Sequence, residues 1–369
     1  MQETSQLKRD TKSVAVVGAG GNIGSHLLPH LGRMSGLGRA TLIDRDLYEE
    51  KNLLSQDITP QDVGKPKAVV QARRLRRINP DVRVYTVQDS VQNVPLGQLR
   101  ADVILACLDS RSARQYVNQA AWRLGVLWID LGVQGEGLLA RVNVYVPGPD
   151  APCLECAWDE RDYEALEQTY PCRGKTGEPV PTNAPSSLGA LAASLQAIEC
   201  QKLLTGQGER VAIGRQVLID ASYHKHYVTT FRRNPRCRFD HEVWSIEKVG
   251  CRPEELTLLQ AFELGRRNGG EDGPLALRVE GKTFIRKLTC PGCGQTKSLL
   301  RLDGRLSPRE RTCQCGQQMM ASGFDMVERL DTGLPRQVLT RSLRSLGFRP
   351  GDVFTVGGPS GEAHCEIGG

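Results

Sequence analysis

No apolar run in the 369-residue chain approaches the roughly 20 residues that a bilayer-spanning helix requires. The first ten residues, MQETSQLKRD, carry no apolar core and no cleavage site, so they do not read as a secretory signal. We therefore expect a cytoplasmic protein with no membrane partner. Long blocks of like charge are missing, and the formal net charge of +6 is small for this length. It gives no reason to expect a nucleic-acid partner. Internal repeats and low-complexity segments are absent as well. Charged residues make up 24% and are spread along the chain, while 39% hydrophobic content is enough for a packed core. Both exclude a disordered composition. The length favours two domains over one.

What is present begins with short apolar strands. Residues 14–17 read VAVV, 40–43 ATLI, 103–106 VILA and 126–129 VLWI, and the last three end in or near Asp44, Asp109 and Asp130. Helix-length segments 22–34, 65–78 and 111–124 lie between them, although Pro29 inside the first should kink it or remove a backbone bond. Strands alternating with helices predict a parallel, Rossmann-like sheet with helices on both faces. Ligands then collect at the carboxyl ends of the strands, where these acidic residues lie. Further along, 138–146 alternates as a strand, 157–187 is polar and reads as a long loop, 188–204 reads as a mostly buried helix, and 217–231 as strands. The alternation stops after about residue 246, and 339–356 reads as helix, turn and strand. We place the domains at 1–246 and 247–369.

The string VAVVGAGGNIGS at 14–25 puts Gly18, Gly20 and Gly24 in G-x-G-x-x-G order after a strand and before a helix. The first glycine permits the tight turn, the second lets backbone approach a phosphate, and the third lets the helix pack closely. The helix N-terminus then faces an anion with free N–H groups. Asp44, at the end of the next strand, is placed to accept from ribose hydroxyls. Alone, this pattern favours an NAD-dependent dehydrogenase over an ATP site.

The wider set of strings separates the two. GAGGNIGS carries a doubled glycine, Gly20-Gly21. It is followed by DRDLYEEKNL (44–53), DVGKPKA (62–68), RRINP (76–80), LDSRSARQYVN (108–118), PCLEC (152–156) and SLGALAASLQAIECQKLLTG (187–206). In this order they resemble the ubiquitin-activating superfamily of adenylyltransferases, nearest to the bacterial enzymes of thiamine and molybdopterin biosynthesis, over about residues 13–241. The resemblance implies an enzyme that uses ATP and Mg2+ to adenylate the C-terminal glycine of a small ubiquitin-like or sulfur-carrier protein ending in Gly-Gly; the alternatives are adenylation of a peptide or small-molecule carboxylate, or a non-catalytic zinc scaffold of the same fold. It also implies a homodimer and, as a further partner, a conjugating enzyme. By the same resemblance, Gly18, Gly20, Gly21 and Gly24 form the phosphate loop, and Asp44 and Asp46 contact the nucleotide. Asn52 lies near the phosphates, Lys67 neutralises charge on the α-phosphate and pyrophosphate, Asp109 holds magnesium, and Arg114 and Asn118 shape the pocket. The chemistry agrees. A carboxylate attacking a phosphate needs a cationic side chain and a divalent ion aimed at the transferring group, and magnesium favours one or two carboxylates plus phosphate oxygens. Without the motif, Lys67 would be read as an ordinary lysine on a solvated helix face. Two departures stand out. Ser55 occupies the place where the family usually has arginine, and few residues precede the first strand, with Arg9 no obvious substitute for an arginine given across a dimer. Lys65 and Arg111 are the nearest candidates to compensate.

The chain has 12 cysteines, and in a reducing compartment close pairs point to metal rather than disulfides. Cys153 and Cys156 form C-x-x-C. By the resemblance, Cys237 and His241 complete a Cys3His zinc site, with Asp240 an alternative fourth ligand. Cys290, Cys293, Cys313 and Cys315 have the spacing of a zinc ribbon, although C-x-C is tight for a second knuckle. Such a ribbon would help a small C-terminal domain fold and present a partner-binding surface. Cys172, in TYPCRGKTG, matches the loop where relatives keep a reactive cysteine, and Arg173 and Lys175 would favour its thiolate. The other reading of Cys172 is an ordinary loop cysteine. Cys107 and Cys200 read as core.

Overall fold

A computed structural model describes residues 11–167, 184–269, 273–359 and 361–369. The chain divides into two compact units. One holds residues up to Val94 and Leu99–Val243, and the other holds Pro95–Gln98 and Trp244–Gly369.

The first unit is built on an eight-stranded sheet. In chain order it comprises β1 (Lys12–Val17), α1 (Asn22–Leu31), β2 (Leu37–Ile43), α2 (Lys67–Ile78), β3 (Arg83–Val87), β4 (Val103–Ala106), α3 (Arg111–Leu124), β5 (Leu127–Gln134), β6 (Leu139–Tyr145), α4 (Glu160–Glu167), α5 (Ser186–Leu204), β7 (Arg215–Asp220) and β8 (Lys225–Thr230). The strand order is β3-β2-β1-β4-β5-β6-β7-β8. β3 to β5 run parallel. β6, β7 and β8 are antiparallel, so the sheet is mixed rather than wholly parallel. The crossovers β1–β2, β2–β3 and β4–β5 return beside their starting strands, whereas β3–β4 crosses to the far side of β1, so the order reverses between β1 and β4. That reversal opens a crevice at the carboxyl ends of those strands.

Alternation of side chains sets the two layers. Val14, Val16, Val103, Leu105, Ile129 and Leu131 share one core with Leu27 and Leu28 of α1 and Ala192, Ala193 and Ala197 of α5. The residues between them turn to the opposite face, where α3 packs along β4 and β5. α1 is shorter than its apolar pattern predicts. It ends at Leu31, and Pro29 within it has no N–H to give to the Ser25 carbonyl. α5 lies against α1 at close range because it is made of small residues: a Cβ on Gly189 would stand 1.9 Å from Asn22 Oδ1. Two elements escaped the sequence reading. β3 is an edge strand with mostly exposed side chains, and α4 falls inside the stretch read as loop.

The second unit has its own core, centred on Phe262, Phe284, Phe348 and Phe354. β9 (Ile246–Val249) and α6 (Leu258–Gly269) are followed by β10 (Ala276–Arg278), β11 (Phe284–Thr289), β12 (Thr296–Leu302), β13 (Met326–Val327), β14 (Arg329–Asp331), β15 (Val353–Gly358) and β16 (Gly361–Ile367). Five of these strands form one sheet in the order β14-β10-β15-β16-β9, and three form another in the order β12-β11-β13. The first of these sheets was not apparent in the sequence. Among the described residues no helix is long and apolar enough to cross a membrane.

Leu27 is fully buried between α1 and the sheet. Leu27→Ala should lower unfolding free energy by roughly 2–5 kcal/mol through lost burial and a cavity. Denaturant unfolding followed by circular dichroism measures this, and an unchanged midpoint would contradict the packing described.

Candidate nucleotide site and metal centres

The loop after β1 is shaped by how closely backbone must pass other groups. Gly18 has φ +79°, and a Cβ there would meet the Cys107 carbonyl oxygen at 2.4 Å. On Gly24 a Cβ would stand 2.2 Å from the Gly18 oxygen, which fixes how tightly α1 follows the turn. On Gly20 it would stand 2.3 Å from Lys67 Cβ and 2.8 Å from the Tyr48 hydroxyl. Gly21 is less confined, with nothing nearer than 3.6 Å.

Asp44 continues from β2 into this loop. Its carboxylate accepts from the Gly20 N–H at 2.8 Å and the Asp46 N–H at 3.1 Å. Burial pushes its carboxyl above the ordinary carboxylate range, opposed by those two N–H groups and by Lys67. An oxygen with two lone pairs can hold one N–H and still accept a hydroxyl, so Asp44 both braces the loop and can receive a ribose. Lys67 opens α2 and is 7% exposed, which removes the reading of a solvated helix face. Its ammonium lies 3.9 Å from Asp46 and 5.5 Å from the centre of the Tyr48 ring. Tyr48 is buried and takes a 2.7 Å bond from Gln71 on α2. Glycine loop, Asp44, Asp46 and Lys67 thus meet at the carboxyl edge of β1 and β2.

Other predicted residues are engaged differently. Asn52 is buried, and its Oδ1 accepts from the Glu49 N–H at 2.8 Å, capping the helical turn 50–54. Asp109 is exposed just after β4 and makes no hydrogen bond or ion pair among the described residues, leaving its carboxylate open to a cation. Arg114 lies one turn into α3. It holds both oxygens of the fully buried Asp130, at 2.8 and 2.7 Å, and donates to the Leu108 carbonyl. Asn118 points to a metal knuckle: its Oδ1 takes the Leu154 N–H at 3.1 Å and its Nδ2 reaches Glu155 at 3.3 Å. Arg111 is paired with Asp162 of α4 at 2.6 Å, and Lys65 is exposed. Near Ser55, Arg74 is paired with Asp57. Cys172 lies outside the described residues.

Gln196, on α5, was missed. It is fully buried and donates to the Ala106 carbonyl at 3.3 Å and the Ile129 carbonyl at 3.0 Å, where β4 ends and its ladder with β5 stops. It also accepts from Cys107 Sγ at 3.2 Å. One glutamine thereby fixes the strand end that leads to Asp109. Its signal was a polar residue within the apolar stretch LGALAASLQAI of that helix. Tyr48, also missed, sat in view within DRDLYEEKNL.

Both cysteine sets converge. In the first unit, the ligand atoms of Cys153, Cys156, Cys237 and His241 lie within 4.8 Å of one another. Tetrahedral zinc at about 2.3 Å from sulfur separates its ligands by about 3.8 Å. Cys153 and Cys237 sulfurs are 3.8 Å apart, and Cys156 Sγ is 3.2 Å from His241 Nε2. His241 takes a positive φ of 63°, a strained conformation for a non-glycine residue, and meets the Trp122 ring edge-on at 4.9 Å. Asp240, the alternative ligand, instead pairs with Arg123. In the second unit, Cys290, Cys293, Cys313 and Cys315 also gather within 4.8 Å. The short C-x-C is accommodated by Gly316 at φ +85°, whose N–H bonds the Cys313 carbonyl. Both donor sets suit zinc.

A sequence model of the ThiF family matches residues 1–239. A sulfur carrier protein adenylyltransferase of Thermus thermophilus is 35% identical over 238 residues, covering 63% of this chain and 82% of the relative. Ubiquitin-like modifier-activating enzyme 5 of Oryza sativa subsp. japonica is 34% identical over 160 residues, but these are only 39% of this chain and 37% of that protein. Among solved structures, Escherichia coli MccB with ATP superposes with a TM-score of 0.51 at 25% identity, covering 63% of this chain and 68% of MccB. The family match spans well over half of the sequence and coincides with the glycine loop, Asp44 and Lys67 on one sheet edge: this chain belongs to the ThiF family.

Proposed function

We propose that this protein uses ATP to adenylate the C-terminal glycine carboxylate of a small ubiquitin-like or sulfur-carrier protein. The observation that carries the reading is the convergence of the glycine loop, Asp44 and a buried Lys67 at the carboxyl edge of β1 and β2. The likeness to carrier-protein adenylyltransferases supports the choice of substrate.

The carrier carboxylate oxygen attacks the α-phosphorus of ATP. A new P–O bond forms, the bond to the β-phosphate oxygen breaks, and pyrophosphate leaves with the electron pair. The N–H groups that open α1 face the phosphates, Asp44 receives the ribose, and Lys67 offsets charge that builds on the transferring group. Asp109 would hold magnesium, which would supply positive charge against the like-charged carboxylate and phosphate. In a second step, we assign Cys172 the role of attacking the acyl carbon as thiolate, with AMP leaving. The two cysteine sets each hold one zinc. A second reading, adenylation of a peptide or small carboxylate, is favoured by the likeness to MccB.

ATP–pyrophosphate exchange with candidate carriers tests the proposal. Lys67→Ala and Asp109→Ala should each lower exchange by about 10²–10³-fold; exchange at the wild-type rate in both would refute the site. Exchange with a short peptide but with no carrier would transfer the case to the second reading.

Asp44 accepts more strongly from ribose when ionised, and burial raises its pKa. As pH falls, ATP affinity should therefore decline from a higher pH than an ordinary aspartate would give. Titration calorimetry across pH 4–8 should show this decline, and Asp44→Asn should flatten it.

Metal analysis should find two zinc ions per chain. Cys237→Ser should remove one and leave the C-terminal ion in place, whereas full zinc content in that variant would show that Cys237 is not a ligand.

A further inference from the structure

Each knuckle of the first metal centre carries an acidic residue, and both grip the same helix. Glu155, between Cys153 and Cys156, is 2% exposed. It accepts from Gln115 at 2.9 Å, Gln119 at 3.1 Å, Asn118 at 3.3 Å and the Tyr163 hydroxyl at 3.3 Å. All four donors are neutral, so the carboxylate is held by direction rather than by a counter-charge. In the other knuckle Asp240, next to His241, takes both arms of Arg123 at 2.6 and 2.8 Å. Three of the Glu155 donors and Arg123 belong to α3.

The same helix serves the nucleotide edge. Arg114, the residue before Gln115, ties α3 to Asp130 and to the Leu108 carbonyl, immediately ahead of Asp109. A helix moves as a rod with a 1.5 Å rise per residue. α3 therefore cannot slide or turn against the knuckles without carrying Arg114, and with it the Leu108–Asp109 backbone. A zinc site needed only to staple a loop would not require three amides of one helix aimed at a carboxylate lying between two of its ligands.

We infer that Glu155 and Asp240 are positioning residues that pass the geometry of the metal knuckles to the nucleotide site through α3. Nucleotide affinity then depends on the Glu155 network even when the zinc is fully bound. The inference rests on the reading that ATP binds at the glycine loop.

The test uses the full, zinc-loaded chain, with ATP affinity measured by calorimetry beside zinc content and thermal midpoint. Glu155→Gln places an amide among amide donors. It should keep wild-type zinc yet weaken ATP binding about fivefold or more. The double variant Gln115→Met with Gln119→Met attacks the network from the helix side, leaves the knuckle intact, and should give the same shift; it decides the matter alone if Glu155→Gln does not fold. Glu199→Gln is the control. This carboxylate is also buried, but on α5, where it bonds Lys202 and the Ala212 N–H. It should lower the midpoint without moving ATP affinity. Wild-type ATP affinity in the zinc-loaded helix-side variant overturns the inference. Failure of the wild-type protein to bind ATP refutes the site reading instead.

Discussion

The whole nucleotide edge depends on one close approach, that of the backbone at Gly20 to the first residue of α2. With a Cβ at this position 2.3 Å from that of Lys67, no side chain fits. The absence of one brings the loop N–H groups, the buried ammonium and the Asp44 carboxylate into a single small volume. Tyr48 sits on the far side of the contact and sets its depth, since its hydroxyl is held by Gln71 while its ring lies under Lys67. Loop, lysine and carboxylate are thus held together by close packing and hydrogen bonds of the chain itself.

Around that contact, polar groups buried far apart in sequence lock the strand ends. Gln196 closes β4 onto β5 where their ladder stops, and Arg114 joins Asp130 to the turn before Asp109. Buried polar groups of this kind are costly when unmatched. Here they are matched by backbone carbonyls or a carboxylate, so they fix geometry where hydrophobic packing alone would leave the ends free.

The sequence made some of this legible and left the rest hidden for physical reasons. Short apolar runs such as VAVV and VILA mark buried parallel strands, and glycine spacing marks the loop, because both follow from local sterics. Arg83–Val87 does not stand out because an edge strand buries little and keeps charged residues. Glu160–Glu167 reads as loop because its polar surface hides a helix held by Arg111 and Arg238. Asn118 matched a motif position, yet its partners are Leu154 and Glu155, a contact made only by the fold. The burial of Lys67 was likewise invisible, since a lysine at a helix start is ordinarily solvated. The candidate ligand sets were easier: paired cysteines announce themselves, and the C-x-C turn needs only a glycine able to take positive φ.

Residues 95–98 belong to the second unit although they interrupt the first. The Gly97 N–H bonds the carbonyl of Gly351, and a Cβ on Gly97 would collide with Glu366. During synthesis this segment leaves the ribosome roughly 250 residues ahead of its partners. At about 5–20 residues per second the delay is on the order of ten seconds to a minute. The second unit is therefore a late-assembling module whose final docking strip is already anchored at both ends in earlier chain, so an expression boundary drawn at residue 244 would sever a structural neighbour rather than a linker.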